Sequence, residues 1–278
     1  MSGDPAVVGQ AHAIGRSGRF QLWELPGRPR LVVKRGPAAA IAREAAALGR
    51  VAGRGVAPAL VTAGEGVLVA ERAPGAPRGR EALDRGAARA LGRLVRRVHG
   101  IEQGGSAGLE AWARPARSLA AYRAARAADA IAAASRRRRR MAERVVAGLA
   151  PLAPAPAGPP FRLLHGDLVL PNVVWGPAPR LVDWEFWRLG DPAEDLAYAI
   201  EVNDLGADLA GALIAGYADP AVAVRLEGWQ ALVALDAGLW YEAAGEHEEA
   251  ARLLRRAEVL SPTGPPRAGG RSGGGARR

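Results

Sequence analysis

The sequence predicts an α+β chain in two parts, a small antiparallel sheet with one helix and then a mainly helical part. Short apolar runs bounded by Gly and Pro, which are typical of strands, fill most of the first 72 residues. Apolar residues at helical spacing follow from residue 83 onward. The length of 278 residues corresponds to two domains or one bilobal unit at roughly 150 residues per domain.

The first part, residues 1–73, is predicted to have the element order ββ, β, α, ββ, which gives a five-stranded sheet. Pro37 suits the first turn of a helix, and the alanine-rich stretch after it predicts a helix from Ala38 to Val51. The strands whose positions the pattern gives are Ala11–Ile14, Phe20–Leu25, Arg30–Lys34 and Val67–Glu71.

The second part, residues 74–260, is predicted to be helical apart from one strand and one hairpin. Asp191 and Pro192 supply a cap and a first-turn proline, which predicts a helix start there. Residues 261–278, rich in Gly, Pro and Arg, are predicted to be a disordered basic tail. The predicted elements are helices over Leu83–Val98, Arg117–Leu149 and Asp191–Leu260, a strand at Phe161–Leu164, and a hairpin of Val173–Trp175 with Arg180–Val182.

The composition excludes several kinds of site and partner. There is no cysteine, which excludes disulfides, thiolate zinc sites and cysteine nucleophiles, and four histidines make an all-histidine metal centre unexpected. The run Arg136–Arg140 carries five of the net +10 charges and the tail carries four, so 9 of 10 lie outside any spread basic face. We therefore expect no specific nucleic-acid partner. No signal pattern or long apolar run appears, which predicts a cytoplasmic protein without a membrane span.

The strongest chemical signal is the segment 165–172, His-Gly-Asp-Leu-Val-Leu-Pro-Asn, followed by Leu-Val-Asp-Trp-Glu at 181–185. An apolar strand delivers one acid, an amide follows five residues later, and a second acid ends the next strand. Phosphoryl transfer to a hydroxyl needs one carboxylate to accept the hydroxyl proton, and an Asn with an Asp to hold the Mg²⁺ ions that bridge the phosphates. We therefore predict Asp167 as the catalytic base and Asn172 and Asp183 as the metal ligands.

These segments, with Gly190–Ala197 after them, resemble the catalytic loop and metal motif of the aminoglycoside phosphotransferase and choline kinase superfamily, distant relatives of protein kinases. The resemblance covers roughly residues 10–245. It implies a bilobal protein-kinase-like fold, with an N-lobe that binds the nucleotide and a C-lobe that carries the metals and the acceptor. It also implies transfer of the γ-phosphoryl group of ATP, or of GTP, to a small-molecule hydroxyl. His165 and Asp195 would then be structural supports of the catalytic loop.

The first part fits the same resemblance. Lys34, the only lysine of the chain, ends a strand, and Glu44 lies ten residues later on the helix. In kinases a strand lysine contacts the α- and β-phosphates and a helix glutamate orients it. The other nucleotide-contacting residues that the resemblance implies are Gly15, Ser17 and Gly18 in a loop over the phosphates, and Ala70 and Arg72 in a hinge beside the adenine.

The acceptor is predicted from acidic and aromatic side chains. Carboxylates and ring faces together attract a cationic amine, and seven tryptophans against four tyrosines and three phenylalanines is an unusual ratio. Alternatively, any one tryptophan merely fills core space between alanine-rich helices. The acceptor residues predicted in this way are Glu185, Trp187, Asp204, Trp240 and Glu242.

The sequence leaves three classes of function open. Among enzymes, a kinase for choline, thiamine or an amino alcohol and a resistance phosphotransferase for aminoglycosides or similar drugs are equally compatible with it. A nucleotide-binding pseudoenzyme used as an interaction module is disfavoured, because every expected polar catalytic position is filled. An arginine-rich RNA or membrane tether would depend on Arg136–Arg140, but five adjacent residues cover all faces of a helix, which favours a solvated segment.

Overall fold

The computed structural model describes residues 12–17, 19–25, 27, 30–102, 116–153 and 161–261. The elements of the first part are β1 (His12–Ser17), β2 (Phe20–Leu25), β3 (Leu31–Arg35), α1 (Ala38–Arg50), β4 (Leu60–Gly64) and β5 (Val67–Glu71). The strands form one antiparallel sheet with the spatial order β1-β2-β3-β5-β4. This confirms the predicted element order and adds the position of β4.

The register of the sheet brings Lys34 and Glu44 together. Lys34 lies on the central strand β3, opposite Leu68 of β5. Helix α1 buries Ile41, Glu44 and Leu48, and residues spaced three or four apart share one face of a helix. Because that face packs against β4 and β5, the glutamate points into the interior where the lysine ends.

The second part contains helices and two small sheets. Its helices are α2 (Arg85–His99), α3 (Leu119–Ala133), α4 (Arg139–Ala147), α5 (Pro192–Val202), α6 (Ala207–Tyr217), α7 (Pro220–Ala223), α8 (Leu226–Ala243) and α9 (His247–Leu260). Its strands are β6 (Arg162–Leu164) paired with β9 (Arg188–Gly190), and β7 (Val173–Val174) paired with β8 (Arg180–Leu181). The predicted strand and hairpin are confirmed, whereas β9 is too short to show a strand pattern in the sequence. None of the described helices has the length and apolar character that crossing a membrane requires.

The predicted long helix over Arg117–Leu149 is wrong. Ala134 is extended, with φ −66° and ψ 130°, and the chain is helical again only from Arg139. Ser135 lies in the break and accepts hydrogen bonds from the amide of Arg138, at its side chain, and from that of Arg139, at its carbonyl. A serine that bonds to nearby backbone groups competes with helical hydrogen bonding, and this residue divides the segment into α3 and α4.

Helix α5 is the most enclosed element of the second part, and α8 packs against it. Its N-cap Asp191 accepts hydrogen bonds from Ala193 N at 3.1 Å, Arg225 Nη2 at 2.8 Å and Trp229 Nε1 at 2.9 Å. Asp191 and Trp229 are fully buried. The predicted helix start is thus confirmed, and α5 is fixed on several sides before it meets the candidate site.

Candidate active site

The candidate site begins at the end of β6, where the chain makes a turn that requires glycine. Gly166 has φ +83°, a backbone conformation that side chains disfavour. A Cβ atom there would lie 2.2 Å from the carbonyl oxygen of Phe186. The close approach of these two backbones fixes the turn that leads into Asp167.

Asp195 of α5 holds this turn by its backbone. Its carboxylate accepts the amide of His165 at 2.8 Å and that of Gly166 at 3.0 Å. The third partner is Nε2 of His99, at 3.1 Å from Oδ2. Burial opposes the charged carboxylate, but the hydrogen bond from His99 and nearby positive charge hold the pKa of Asp195 below its ordinary value. The geometry agrees with the predicted supporting role of Asp195.

His165 ties the turn to the neighbouring strand. Its ring is fully buried; Nε2 lies 3.0 Å from the carbonyl oxygen of Val182, and Nδ1 lies 3.3 Å from the amide of Asp167. One neutral tautomer satisfies both contacts, with the proton on Nε2. The ring therefore links the chain before Asp167 to the chain before Asp183, as the predicted structural role of His165 requires.

Asp167 and Asn172 lie side by side in the loop between β6 and β7. Asn172 Nδ2 donates to Asp167 Oδ2 at 2.9 Å and to the Asp167 carbonyl at 3.1 Å. Tyr198 donates its hydroxyl to Oδ1 at 2.9 Å. Burial raises the pKa of Asp167, although His165 and the hydroxyl of Tyr198 oppose the shift. Because the amide nitrogen of Asn172 faces Asp167, the amide oxygen of Asn172 remains for another partner.

Asp183 and Glu44 share the lysine of the first part. Lys34 Nζ lies 2.7 Å from Glu44 Oε2 and 2.7 Å from Asp183 Oδ1, and 3.9 Å from the ring centre of Phe20. Burial disfavours the ammonium, but the two carboxylates outweigh it, and the pKa of Lys34 is raised. Asp183 has φ +63°, an uncommon conformation outside glycine that often accompanies functional sites. Lys34, Glu44 and Asp183 therefore meet as predicted.

A cleft of about 370 Å³ opens beside these groups. Its walls are apolar near the sheet and polar at Lys34, Asn172 and Asp183, a combination that suits a flat ring joined to a charged group. The apolar lining includes Ile14, Leu22, Val32, Leu48 and Leu68 from the first part and Val174 and Val182 from the second.

The predicted hinge borders this cleft, but two of its amides are engaged. The amide of Glu71 donates to the carbonyl of Ala59 and that of Arg72 to the carbonyl of Arg30, each at 2.8 Å. Ala70, Arg72 and Ala73 line the cleft. Any backbone contact to a ring edge through Arg72 would therefore use its carbonyl.

The predicted phosphate-covering loop is shorter than expected. Gly15 and Ser17 belong to β1 and pair with Leu22 and Phe20 of β2, so that they are strand residues and not loop residues. Strand β1 ends at Ser17 and β2 begins at Phe20. Gly18 lies outside the described residues.

Two of the five predicted acceptor residues, Glu185 and Trp187, contact residues of the first part of the chain. Glu185 lies beside Asp183 in sequence and pairs with Arg19 at the tip of the β1–β2 hairpin. The acceptor role of Trp187 is wrong, because its ring is 2% exposed and its Nε1 donates to the carbonyl of Arg43 on α1 at 2.8 Å. Trp187 joins the two parts of the chain instead.

The other three predicted acceptor residues lie on the surface, where no contact among the described residues joins them to Asp167. Asp204 pairs with Arg80 at 2.9 Å, and Glu242 pairs with Arg138 at 2.8 Å. Trp240 is 57% exposed. Trp240 and Glu242 are two positions apart on α8, so that they point to different sides of the helix, and Asp204 lies just beyond the end of α5.

Three residues that hold the loop by hydrogen bonds, directly or through Asp195, are not predicted by the sequence pattern. Tyr198 follows Asp195 by three positions on one helix, and this spacing, which puts both on one face, is the sequence feature that could have indicated its contact with the loop. Asn203 accepts the amide of Leu170 at 2.8 Å and donates to the carbonyl of Leu168 at 2.8 Å; it is one of only two asparagines in the chain. His99 is the third residue, and nothing in its sequence context indicates Asp195 as its partner.

The side chains present suit a divalent cation with oxygen ligands. Asn172 offers an amide oxygen and Asp183 a carboxylate, and Mg²⁺ is usually held by one or two such groups together with phosphate oxygens and water. No group of three or more His, Cys, Asp or Glu side chains in the described ranges is arranged to hold a metal by itself. The protein alone therefore supplies a partial site.

Comparison with known proteins identifies a family. Residues 8–235 match the family model described as "Phosphotransferase enzyme family". Viomycin phosphotransferase of Streptomyces vinaceus is 39% identical over 97 residues, which cover 32% of this chain and 33% of that protein. The matched region thus spans about a third of that relative's length.

Solved structures show the fold. A choline/ethanolamine kinase family protein from Mesorhizobium loti has a TM-score of 0.63 at 20% identity, covering 93% of this chain and 91% of that one. An aminoglycoside phosphotransferase in a ternary complex with ADP and hygromycin B has a TM-score of 0.67 at 13% identity, covering 90% and 92%. The predicted α+β, protein-kinase-like fold is confirmed.

Proposed function

Because the chain belongs to the phosphotransferase enzyme family, we propose that it transfers the γ-phosphoryl group of ATP to a hydroxyl of a small, cationic acceptor, with Mg²⁺ as the metal. One observation carries the proposal. Lys34 Nζ lies 2.7 Å from both Glu44 and Asp183, and Asn172, which lines the same cleft, donates to Asp167 at 2.9 Å. A lysine that contacts phosphates, a metal-binding acid and a base are the groups that this transfer needs.

In the proposed reaction, Asp167 accepts the proton of the acceptor hydroxyl. The hydroxyl oxygen forms a bond to the γ-phosphorus, and the bond from that phosphorus to the bridging oxygen breaks, its electron pair leaving on ADP. Lys34 contacts the α- and β-phosphates while Glu44 holds its ammonium in place. When bound between Asn172 and Asp183, Mg²⁺ would neutralise charge on the phosphate oxygens.

The apolar half of the cleft supports a nucleotide in this role. The side chains of Val32 and Leu68 on the sheet and Val174 below it form two walls that accommodate a purine ring. The hinge carbonyls at Glu71 and Arg72 would lie at its edge. ATP is proposed over GTP only as the first nucleotide to test, because both share the phosphates that Lys34 would contact.

A cationic acceptor is supported by the carboxylates beside Tyr198. Asp167 accepts the Tyr198 hydroxyl at 2.9 Å, and Asp236 of α8, which pairs with Arg126 at 2.7 Å, also raises the pKa of Tyr198. Acids with aromatic rings attract ammonium groups. One structural neighbour is a choline/ethanolamine kinase family protein, another is an aminoglycoside phosphotransferase, and one sequence relative is a viomycin phosphotransferase. Amino alcohols and basic antibiotics are therefore the two acceptor classes to compare.

The test is a transfer screen with γ-labelled ATP over choline, ethanolamine, thiamine, viomycin, aminoglycosides and macrolides. We expect labelled product with one class, dependence on Mg²⁺, and loss of transfer by a factor of about 10²–10⁴ in D167N, the range of general base catalysis. D129N, which changes an exposed aspartate of α3, is the matched control and should behave like the wild type.

Two results would contradict the proposal. Full activity of D167N would remove the base assignment, whatever the acceptor. ATP binding without transfer to any acceptor would instead indicate a nucleotide-binding module, the alternative of a different class. Calorimetry of ATP binding with and without Mg²⁺ separates that outcome from a failure to bind nucleotide at all.

A further inference from the structure

Helix α5 reaches the catalytic loop with a second side chain, one turn beyond Asp195. Tyr198 follows Asp195 by three residues, so that both side chains lie on the same face of the helix. The Tyr198 hydroxyl donates to Asp167 Oδ1 at 2.9 Å. Asp195 holds only backbone amides of the loop, whereas Tyr198 contacts the carboxylate of the base itself.

Two donors from different elements thus hold the two oxygens of this carboxylate. Asn172 of the loop donates to Oδ2 at 2.9 Å, and Tyr198 of α5 donates to Oδ1. The torsion that turns an aspartate carboxylate is broad and weakly restrained, so a single donor leaves the plane free to rotate. One donor on each oxygen fixes the plane. Since a carboxylate offers about four acceptor positions, room remains for an incoming hydroxyl.

We propose that Tyr198 is a positioning residue that fixes the plane of the Asp167 carboxylate for proton acceptance. The inference rests on the proposed function, because it gives Tyr198 a part in the base step of that reaction. The phosphoryl transfer itself is unchanged: the acceptor proton passes to Asp167, and Tyr198 keeps its own proton. In this role the hydroxyl of Tyr198 acts through its hydrogen bond to Asp167 Oδ1.

The chemistry of the hydroxyl agrees with a permanent donor. Burial, with the Asp167 carboxylate beside it, raises the pKa of Tyr198 well above its ordinary value, so the phenol stays protonated at neutral pH. The hydroxyl is not required to hold α5, which is already fixed at its cap by Asp191 with Arg225 and Trp229. Loss of the hydroxyl should therefore affect the base and leave the helix in place.

The test is Y198F, which removes one oxygen and keeps the ring. The matched control is Y122F, since Tyr122 is a buried tyrosine that also donates its hydroxyl to a carboxylate, Glu194 Oε2 at 2.6 Å, away from Asp167. The acceptor is the one that the transfer screen identifies. The measurements are kcat, KM for ATP, the dissociation constant of ATP, and the unfolding temperature of each variant.

We expect kcat of Y198F to fall about tenfold, which corresponds to one hydrogen bond to a charged group. KM and the dissociation constant for ATP should stay at the wild-type values, a split that general loosening of the fold would not produce. Y122F should lower the unfolding temperature and keep the wild-type kcat. If Y198F does not fold, Y198M takes its place, because methionine fills irregular space without offering a donor.

The outcomes separate this inference from the proposed function. Wild-type transfer with an unchanged kcat in the folded Tyr198 variant overturns the positioning role and leaves the proposed function intact. A fall in kcat that is matched by Y122F, or by an equal loss of ATP affinity, also overturns it. A wild-type protein that transfers to no acceptor overturns both, because Asp167 then has no proton to accept.

Discussion

Replacing Asp195 by Asn tests how much α5 contributes to the stability of the loop that follows β6. The Asp195 carboxylate accepts the amides of His165 and Gly166 at 2.8 and 3.0 Å, and Nε2 of His99 lies 3.1 Å from it. An Asn side chain has a single acceptor oxygen, and the two loop amides approach different oxygens of Asp195. Whichever way the Asn is turned, one buried amide of the loop faces an NH₂ group and loses its acceptor.

The loss of stability expected for D195N follows from these contacts. Leaving one buried amide without an acceptor costs about 1–3 kcal/mol, and losing the charge on the retained hydrogen bonds costs about 1 kcal/mol more. We therefore expect D195N to lower the free energy of unfolding by about 2–4 kcal/mol. At about 2–4 °C per kcal/mol, the unfolding temperature should fall by about 4–16 °C.

The difference in unfolding free energy between the wild type and D195N should also depend on pH. The folded-state pKa of Asp195 lies below its ordinary value of 3.8, and a carboxylate of this kind contributes stability that is present above the unfolded-state pKa. That contribution disappears as the pH falls through the folded-state pKa. The gap between wild type and D195N should therefore be complete at neutral pH and shrink below about pH 4.

Urea unfolding at pH 7 and at pH 3.5, followed by circular dichroism, measures both effects, with the exposed-site variant D129N as the control. The reasoning fails if D195N unfolds within about 0.5 kcal/mol of the wild type at pH 7, the range of an ordinary surface substitution. It also fails if the gap widens on acidification, because the sign of the linkage would then be reversed.

Three further changes test separate parts of the structure. D183A should abolish the Mg²⁺-dependent increase in ATP affinity in calorimetry, and unchanged Mg²⁺ dependence would remove Asp183 as a metal ligand. D191A leaves the buried guanidinium of Arg225 without its carboxylate partner and should cost about 3–5 kcal/mol in urea unfolding; the double variant D191L/R225M should restore only part of this, because Ala193 N and Trp229 Nε1 still lose their acceptor. W187F removes the hydrogen bond to the Arg43 carbonyl and should lower the unfolding free energy by about 1 kcal/mol; a value equal to the wild type would show that the ring alone makes this contact.

The residues of the loop and metal motif could be predicted from the sequence because their chemistry is rare and their spacing is fixed. Asp167 and Asn172 lie in the loop after strand β6, and Asp183 follows strand β8. Lys34 stands out because the chain has no other lysine. Their geometric convergence needed only that β3 and the loop after β6 face one another.

The acceptor residues could not be predicted in the same way. Trp187 and Trp240 look alike in the sequence, yet one ring is 2% exposed and the other 57% exposed. Whether a tryptophan packs or faces solvent depends on contacts that are distant in sequence. Trp187, just before β9, packs against α1, and no local sequence pattern indicates such a contact. The break at Ser135 was not predicted for a similar reason, since the alanines before it and the arginines after it both favour helix.

The contact between Trp187 and α1 has a consequence for building chimeras. The boundary at residue 73 looks like a natural point for recombination between relatives. However, Trp187 Nε1 bonds to the carbonyl of Arg43, and the amide of Leu181 bonds to the carbonyl of Val56 at 2.8 Å, so each half completes hydrogen bonds of the other. A hybrid protein must therefore take both partners of each of these hydrogen bonds from one parent, or restore the bonds by design.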